Sequence, residues 1–294
     1  MAFSQHVNND GGTANYDWGR LTADIDLSSV ENFLPIGLYA DVSGTRIQFF
    51  GRFDGAGHVI RNLRIDRADN YEIGLFSRTS GAIIENLGVE NAYLRTTSEY
   101  VYASTGAVGI RVGVIVGEFN SASVMRNCWT AGTIVMETYH PQKGYLCGEA
   151  SNKSQLINCF STGDVLANGS TYTATNCFAD EEVEEMGPTG ELCYRLNGDQ
   201  SKIIWYQTLD EEELPCLDPT HKIVYGNGPK NCDGSSAGAM TYSNTDDGSP
   251  IPPHEYDTEG YCVNCGFEGY EVTPTKDGWY EVTTPQEMRW VSRY

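Results

Sequence analysis

Five times in this chain the same short phrase recurs around an asparagine, with apolar residues two places before it and one and three places after it. Ile60, Asn62, Leu63 and Ile65 return as Ile84, Asn86, Leu87 and Val89. Weaker copies follow at Met125, Asn127, Cys128 and Thr130, at Leu156, Asn158, Cys159 and Ser161, and at Ala174, Asn176, Cys177 and Ala179. Side chains of a β-strand alternate between two faces, so apolar positions at −2, +1 and +3 change phase at the Asn. A strand changes phase only at a corner, and after Gly it is Asn that best tolerates the left-handed backbone a corner needs. Each copy therefore predicts strand, Asn corner, strand, with Asn62, Asn86, Asn127, Asn158 and Asn176 stacked as a ladder. The spacings between these residues, 24, 41, 31 and 18, suit a solenoid whose turns carry loops of unequal length.

Glycine phrases stand between the Asn copies: Gly74-Leu75-Phe76, Gly113-Val114-Ile115-Val116-Gly117 and Gly144-Tyr145-Leu146-Cys147-Gly148. The first Asn copy is announced by Phe53-Asp54-Gly55-Ala56-Gly57-His58. As a set, over roughly Leu21 to Ala179, these resemble the GLUG-motif repeats of bacterial surface and adhesin-like proteins. The resemblance implies an all-β fold, a right-handed parallel β-helix. Ser77 stands where the family has a glycine, and the last turn, Asn168 to Asp180, lacks the glycine phrase; both departures leave the end turns less regular.

Acidic residues outnumber basic ones 40 to 19, a net charge of −21. Such a field repels nucleic acid and anionic membranes. No apolar run reaches the ~20 residues that span a bilayer, and the first dozen residues lack the basic and apolar regions of a secretory signal. The resemblance places the chain outside the cell, on a bacterial surface, as an excised piece of a larger protein. The two ends agree with that expectation. Trp279 to Val282 reads as a strand, and Thr284, Pro285 and Glu287 form a capping box that opens a helix. Phe3 to Asn8 reads as the continuation of such a helix, so Trp279 to Tyr294, with Trp290 and Val291, is expected to lie ordered against an apolar surface.

The expected organisation is a β-helix with an N-terminal cap over residues 1–180, a helix and strand closing its far end over 181–228, a cysteine-containing linker or small knot over 229–276, and the start of a following module over 277–294. Thr189 is placed to cap a short helix in which Leu192, Cys193 and Leu196 share a face, with Gly198 as its stop. Outward positions of the rungs carry Arg, Glu, Thr and Tyr.

The nine cysteines divide by place. Cys128, Cys159 and Cys177 each follow a rung Asn and predict a column of free core thiols, with neighbours about 4.8 Å apart. Cys262-Val263-Asn264-Cys265, with His254 and Cys232 upstream, supplies four soft ligands in a loop-rich stretch with little core, a pattern open to structural zinc, to a disulfide or to an unmetallated loop. The acidic runs Glu181 to Glu185 and Asp210 to Glu213 are solvated faces or weak calcium sites.

Catalytic signatures are wanting. Gly234-Ser235-Ser236-Ala237-Gly238 has neither the strand before it nor the helix after it that a nucleophile elbow requires. His254-Glu255 lacks a second His one helical turn on. Asp24, Asp26 and Asp164 form no repeating column with a basic residue, as a polysaccharide lyase would need. Surface recognition remains: Tyr93, Tyr100, Tyr102, Tyr139, Tyr145 and Tyr172 lie in or beside the inter-rung insertions, and tyrosine suits contact with sugars or proteins. The expected function is a non-catalytic adhesion or ligand-binding module whose partners are a glycan, a host or bacterial surface protein, and adjacent modules of its own polypeptide. A β-helix carbohydrate-active enzyme and a structural spacer are the alternatives.

Overall fold

The structure, a computed structural model, describes residues 2–9, 17–40, 45–67, 71–96, 102–103, 106–107, 110–137, 142–169, 171–198, 200–233, 236–257, 261–266, 274–284 and 287–288. The chain divides into two compact units, Met1–Val224 and Tyr225–Tyr294.

The first unit is built from β-strands that pair in parallel with their counterparts one copy further along the chain. One stack runs through Trp18–Arg20, Arg52–Asp54, Ile83–Glu90, Val124–Ala131, Gln155–Ile157 and Thr173–Thr175. A second joins Arg64–Asp66, Tyr93–Arg95 and Val135–Glu137, and a third Glu72–Ile73, Arg111–Gly113 and Gln142–Gly144. The fourth runs Phe76–Ser80, Val116–Asn120, Cys147–Ala150 and Ala167–Asn168. Leu63, Ile65, Ile84, Leu87, Val89, Cys128, Leu156 and Cys159 are buried together in the space these stacks enclose.

The corners are asparagines with positive φ: 53° at Asn86, 51° at Asn127 and Asn158, 52° at Asn176. Register corrects the first copy, however. Phe53 lies beside Ile84, whereas Ile60 lies beside Val89 and Arg61 beside Glu90, so Asn62 neighbours Asn91 instead of Asn86. The turn through Asn86 thus has two left-handed corners a few residues apart, and Asn62 (φ 61°) and Asn91 (φ 53°) belong to the second. The phrase around Asn62 matched the wrong corner because both demand the same residue and the same change of phase. In the first column the place beside Asn86 belongs to the Asp54-Gly55 turn.

The ladder is partial. Asn176 Nδ2 donates to Asn158 Oδ1 at 2.8 Å, Asn127 Nδ2 to Asn86 Oδ1 at 3.3 Å and Asn86 Nδ2 to Asp54 Oδ1 at 3.0 Å. Asn62 Nδ2 instead donates to Asp26 Oδ1. Asn127 Oδ1 is buried without a partner, so the expected link from Asn127 to Asn158 is missing. Further up each turn Asn152 Nδ2 donates to Asn120 Oδ1 at 2.6 Å, a side-chain rung that the phrase does not predict.

The glycine phrases mark where two strands of one turn approach too closely for side chains. A Cβ on Gly113 would meet Val116 O at 2.1 Å and Gly148 N at 2.3 Å; one on Gly148 would meet Val112 N at 2.4 Å. The first copy is one residue shorter, since Ile73 and Val112 pair, and so do Phe76 and Val116. Ser77 fits there, its hydroxyl donating to Glu72 O at 2.9 Å.

Both ends of the stack are covered, as exposed sheet edges require. The helix Ala2–Asn8 buries Val7 and sets Phe3 against Phe49 and Phe53. At the other end stand two helices, Glu181–Met186 and Glu191–Asn197. The first arises from what reads in sequence as a charge run; Val183 and Met186 are its buried face. Gly190, in the left-handed region, occupies the N-cap of the second in place of Thr189, whose hydroxyl accepts from Glu191 N–H at 3.3 Å.

One outward column departs from the expected polar face. Gly88, Trp129, Phe160 and Phe178 are register neighbours pointing away from the inner core, with Trp129 stacked on Phe160 at 5.7 Å and Trp205 packed on Phe160 at 5.5 Å. The chain after Asn197 turns back to cover these rings, and reaches as far as Gly57, against which Leu217 rests.

The second unit holds an antiparallel pair, Tyr225–Asn227 with Thr241–Ser243. The capping box forms: Thr284 N–H donates to Glu287 Oε2 at 2.8 Å and Glu287 N–H to Thr284 Oγ1 at 3.2 Å. The described part of the tail is not set against an apolar surface, since Trp279 is 75% and Met288 59% exposed; Trp290 and Val291 lie outside the described residues.

Two stability measurements check this account. Asn127→Ala is expected to cost about 1–2 kcal/mol, most of it from the left-handed backbone, and Asn127→Gly less, as read from thermal midpoints; equal losses would place the cost in the side-chain bond instead. Gly113→Ala is expected to cost about 3 kcal/mol, because backbone atoms cannot yield to the new methyl; an unchanged midpoint would show that the two strands part freely.

Candidate functional site

The turn-back of residues 206–221 leaves a groove of about 600 Å³ along the outer face of the first unit. One wall is the rung surface, with Asp24, His58, Arg61 and Glu90; Trp129 is in the floor; the facing wall includes Glu212, Leu214, Leu217, Asp218 and His221. Strand register sets Arg61 beside Glu90, so Arg61 Nε donates to Glu90 Oε2 at 2.7 Å while its Nη1 reaches Asp24 Oδ2 at 2.7 Å. Asp24 Oδ1 also accepts Val59 N–H at 3.1 Å and lies 3.2 Å from His58 Nδ1. Partial burial opposes its ionisation, but the bonds from Arg61, Val59 N–H and His58 outweigh it and hold the Asp24 carboxyl below the usual range. On the facing wall His221 pairs with Glu212 and lies 3.8 Å from Asp218.

The predicted tyrosines do not converge. Tyr93 sits under Arg64, 4.1 Å from its ring centroid, and donates to Glu137 Oε2 at 3.0 Å. Tyr145 lies flat on Gly163, with Asp164 and Asp180 nearby. Tyr172 packs against the inner core and donates to Ala167 O. Tyr100 and Tyr139 fall outside the described residues; Tyr102 is in a short antiparallel pair with Gly106–Ala107, its side chain undescribed.

Cys128, Cys147 and Cys159 are buried free thiols, and Cys177 is partly buried. Cys232, His254, Cys262 and Cys265, by contrast, come together in the second unit, their ligand atoms all within 4.8 Å of one another. Cys232 Sγ is 3.4 Å from Cys262 Sγ, and Cys265 Sγ 3.4 Å from His254 Nδ1. The thiols diverge: burial and the neighbouring thiols push Cys232 up to about 12, while hydrogen bonds from Asn264 N–H, His254 and Cys265 N–H overcome burial and bring Cys262 down to about 6. Glu212, Cys216 and His221 make a second, smaller cluster of possible ligands on the groove wall.

Sequence reasoning missed a buried charge lattice at the glycine corner. Glu72, Arg111 and Gln142 stack in one column and Arg78, Glu118 and Glu149 in the column facing it. Arg78 reaches Glu118 at 2.9 Å and Glu72 at 3.2 Å; Arg111 reaches Glu118 at 3.3 Å and Glu72 at 3.5 Å, and pairs closely with Glu149. Glu72 is 1% and Glu118 5% exposed. Three carboxyls against two guanidinium groups leave one excess negative charge, which a proton on Glu72 removes. Burial first, then the Glu118 carboxylate, holds Glu72 well above the usual range, with Arg78 and Arg111 pulling the other way. Glu72 Oε2 is buried without a hydrogen-bond partner, the place such a proton would occupy. The signal was present in sequence as Glu72, Arg111 and Gln142, each two residues before its glycine.

No family model matches the chain. An alignment over 165 residues, 53% of the chain, is 33% identical to Halomucin of Haloquadratum walsbyi (strain DSM 16790 / HBSQ001), of whose length it spans only 2%. Among solved structures, a protein of Bacteroides ovatus provisionally described as an immunoglobulin A1 protease shares 18% identity over 58% of this chain and 51% of its own, with a TM-score of 0.39. That likeness is too slight to speak for fold or function. Among the described residues no helix is long and apolar enough to cross a membrane.

The lattice predicts a pH effect. A carboxyl with a raised folded pKa contributes stability that is full below its unfolded value, about 4.3, and is lost as pH rises through the folded value. Against Glu72→Gln, which keeps the shape without the ionisation, the native protein should lose up to about 1.4 kcal/mol per pH unit in that window. Denaturant titrations at several pH values read the difference, and parallel stability curves would show that Glu72 is not protonated in the folded chain.

Proposed function

We propose that the first unit is a right-handed parallel β-helix of the GLUG type, and that the chain is a non-catalytic recognition module of a bacterial cell-surface protein, binding a glycan or a protein of another surface. The helix is supported by the in-register parallel stacks, the Asn corners and the glycine close approaches. The likeness to Halomucin fits a module set within a much longer polypeptide, since the match covers half of this chain and a fiftieth of that one.

The observation that carries the recognition reading is the groove. It sets Arg61, Asp24 and His58, held in fixed pairs, opposite the apolar Leu214 and Pro219 of a segment that folds back along the stack. A sugar ring offers one apolar face and a rim of hydroxyls, and a groove of this make-up meets both. Hydrolysis of a glycosidic bond asks for a protonated carboxyl as general acid. Asp24 is held ionised by its partners and Glu72, the carboxyl with a raised pKa, is buried away from the groove. These two facts favour binding over cleavage. Tyr93 and Tyr145, both partly exposed, extend the contact surface of the same unit.

Screening the whole chain against arrayed glycans and surface proteins tests the reading. Asp24→Asn combined with His58→Gln is expected to weaken the bound ligand about tenfold, the worth of one hydrogen-bonded contact, with the thermal transition lowered only by the loss of the Asp24 bonds and still cooperative. Cleavage of an arrayed glycan would turn the assignment to a carbohydrate-active enzyme, and an empty array would leave the module as a spacer.

A further inference from the structure

The second unit has almost nothing to fold around. Among its described residues the only buried apolar side chains are Cys232 and Cys262. Small domains with so little core need a covalent or metal staple. Here the staple's parts are in place, and two separate pieces of backbone deliver them. A hairpin-like crossing, in which Val263 N–H donates to Glu255 O and Asp257 N–H to Tyr261 O, sets His254 beside Cys262. The bridge between Lys230 and Ser236 and the bond from Asn231 Nδ2 to Ser236 O hold the turn that delivers Cys232.

We propose that Cys232, His254, Cys262 and Cys265 bind one zinc ion that closes residues 229–266. Zinc bonds of about 2.3 Å to sulfur and 2.0–2.1 Å to nitrogen make a tetrahedron with edges of about 3.8 Å between sulfurs and about 3.5 Å from sulfur to nitrogen. The observed separations of 3.4 Å for Cys232 to Cys262 and 3.4 Å for Cys265 to His254 approach those edges. A disulfide would need its sulfurs about 2.05 Å apart. Gly266, at φ 73°, closes the knuckle with its N–H on Cys262 O at 2.8 Å. Three thiols and one imidazole are soft and borderline donors, which select zinc and disfavour calcium or magnesium.

The test uses the whole chain, purified with zinc present and then desalted. Elemental analysis should find about one zinc per chain, and cobalt in its place should give the thiolate charge-transfer and tetrahedral ligand-field bands of a cysteine-rich site. The double variant Cys262→Ser, Cys265→Ser should lose the metal, and proteolysis within residues 225–294 should quicken about tenfold, the first unit's thermal midpoint staying fixed. His254→Ala, which leaves all three thiols, should weaken zinc without abolishing cobalt charge transfer. Three results would overturn the proposal: metal-free protein with all nine thiols titratable, a Cys232 to Cys262 bond in the non-reduced peptide map, or zinc retained by the double variant, which would place it at Glu212, Cys216 and His221.

Discussion

The first unit depends on one backbone constraint, the sharp left-handed corner at which the chain changes phase without losing its place in the stack. At such a corner the chain passes through the left-handed region, where a residue with an ordinary side chain loses about 1–2 kcal/mol. Asn bears the conformation and its amide bonds to the neighbour above or below. Because every turn repeats the corner at the same height, the parallel pairing between turns is in register, and because pairing is in register the apolar residues on either side of each Asn all face inward. Core, sheet and loop placement follow from those few φ angles. Insertions between corners change loop length without disturbing the stack, which is why turns of 31, 41, 31 and 18 residues, counted from Phe53 through Ile84, Met125 and Leu156 to Ala174, share one core.

A second constraint acts at the glycine corner, where two strands of the same turn fold so tightly that backbone meets backbone. The tightness removes water from residues that would otherwise lie on the outside. Nature's usual remedy is an apolar pair, yet here the sites hold Glu72, Arg78, Arg111, Glu118 and Glu149. Buried ion pairs seldom add much stability over apolar replacements, whereas removing one partner is costly. The lattice ties consecutive turns together: Arg78 and Arg111 each reach both Glu72 and Glu118, so removing either guanidinium would leave buried carboxyls short of a partner.

How much of this the sequence discloses follows from how local each cause is. The Asn phrases are local, since phase and corner occupy six residues, and the parallel stacking follows from them. Asn62 misleads because the two corners of a turn make the same local demand and only pairing between turns tells them apart. Trp129, Phe160 and Phe178 look like interruptions of a polar face until Trp205 is seen packed on Phe160, and nothing near these residues in sequence says so. The groove has the same origin. Asp24 and His58 are legible as surface residues, but the wall that faces them comes from Glu212 to His221, far later in the chain. The four metal-type ligands were legible together because the poverty of their surroundings is itself a local property: a segment rich in Gly, Ser, Asn and Pro, with no periodic apolar run, has to be held by its few cysteines.

The two units therefore spend their cysteines in different ways. In the stack, Cys128 and Cys159 are small apolar fillers at positions where Leu87 stands one turn earlier. Burial raises the Cys159 thiol far from ionisation, so it is unsuited to metal or redox chemistry. In the second unit Cys232 and Cys262 are equally buried, but with a histidine, a third thiol and donor N–H groups around them in place of leucines. The same residue is inert filler where a large core already exists and the only candidate for a core where none does; the difference lies in what the neighbouring backbone offers the sulfur.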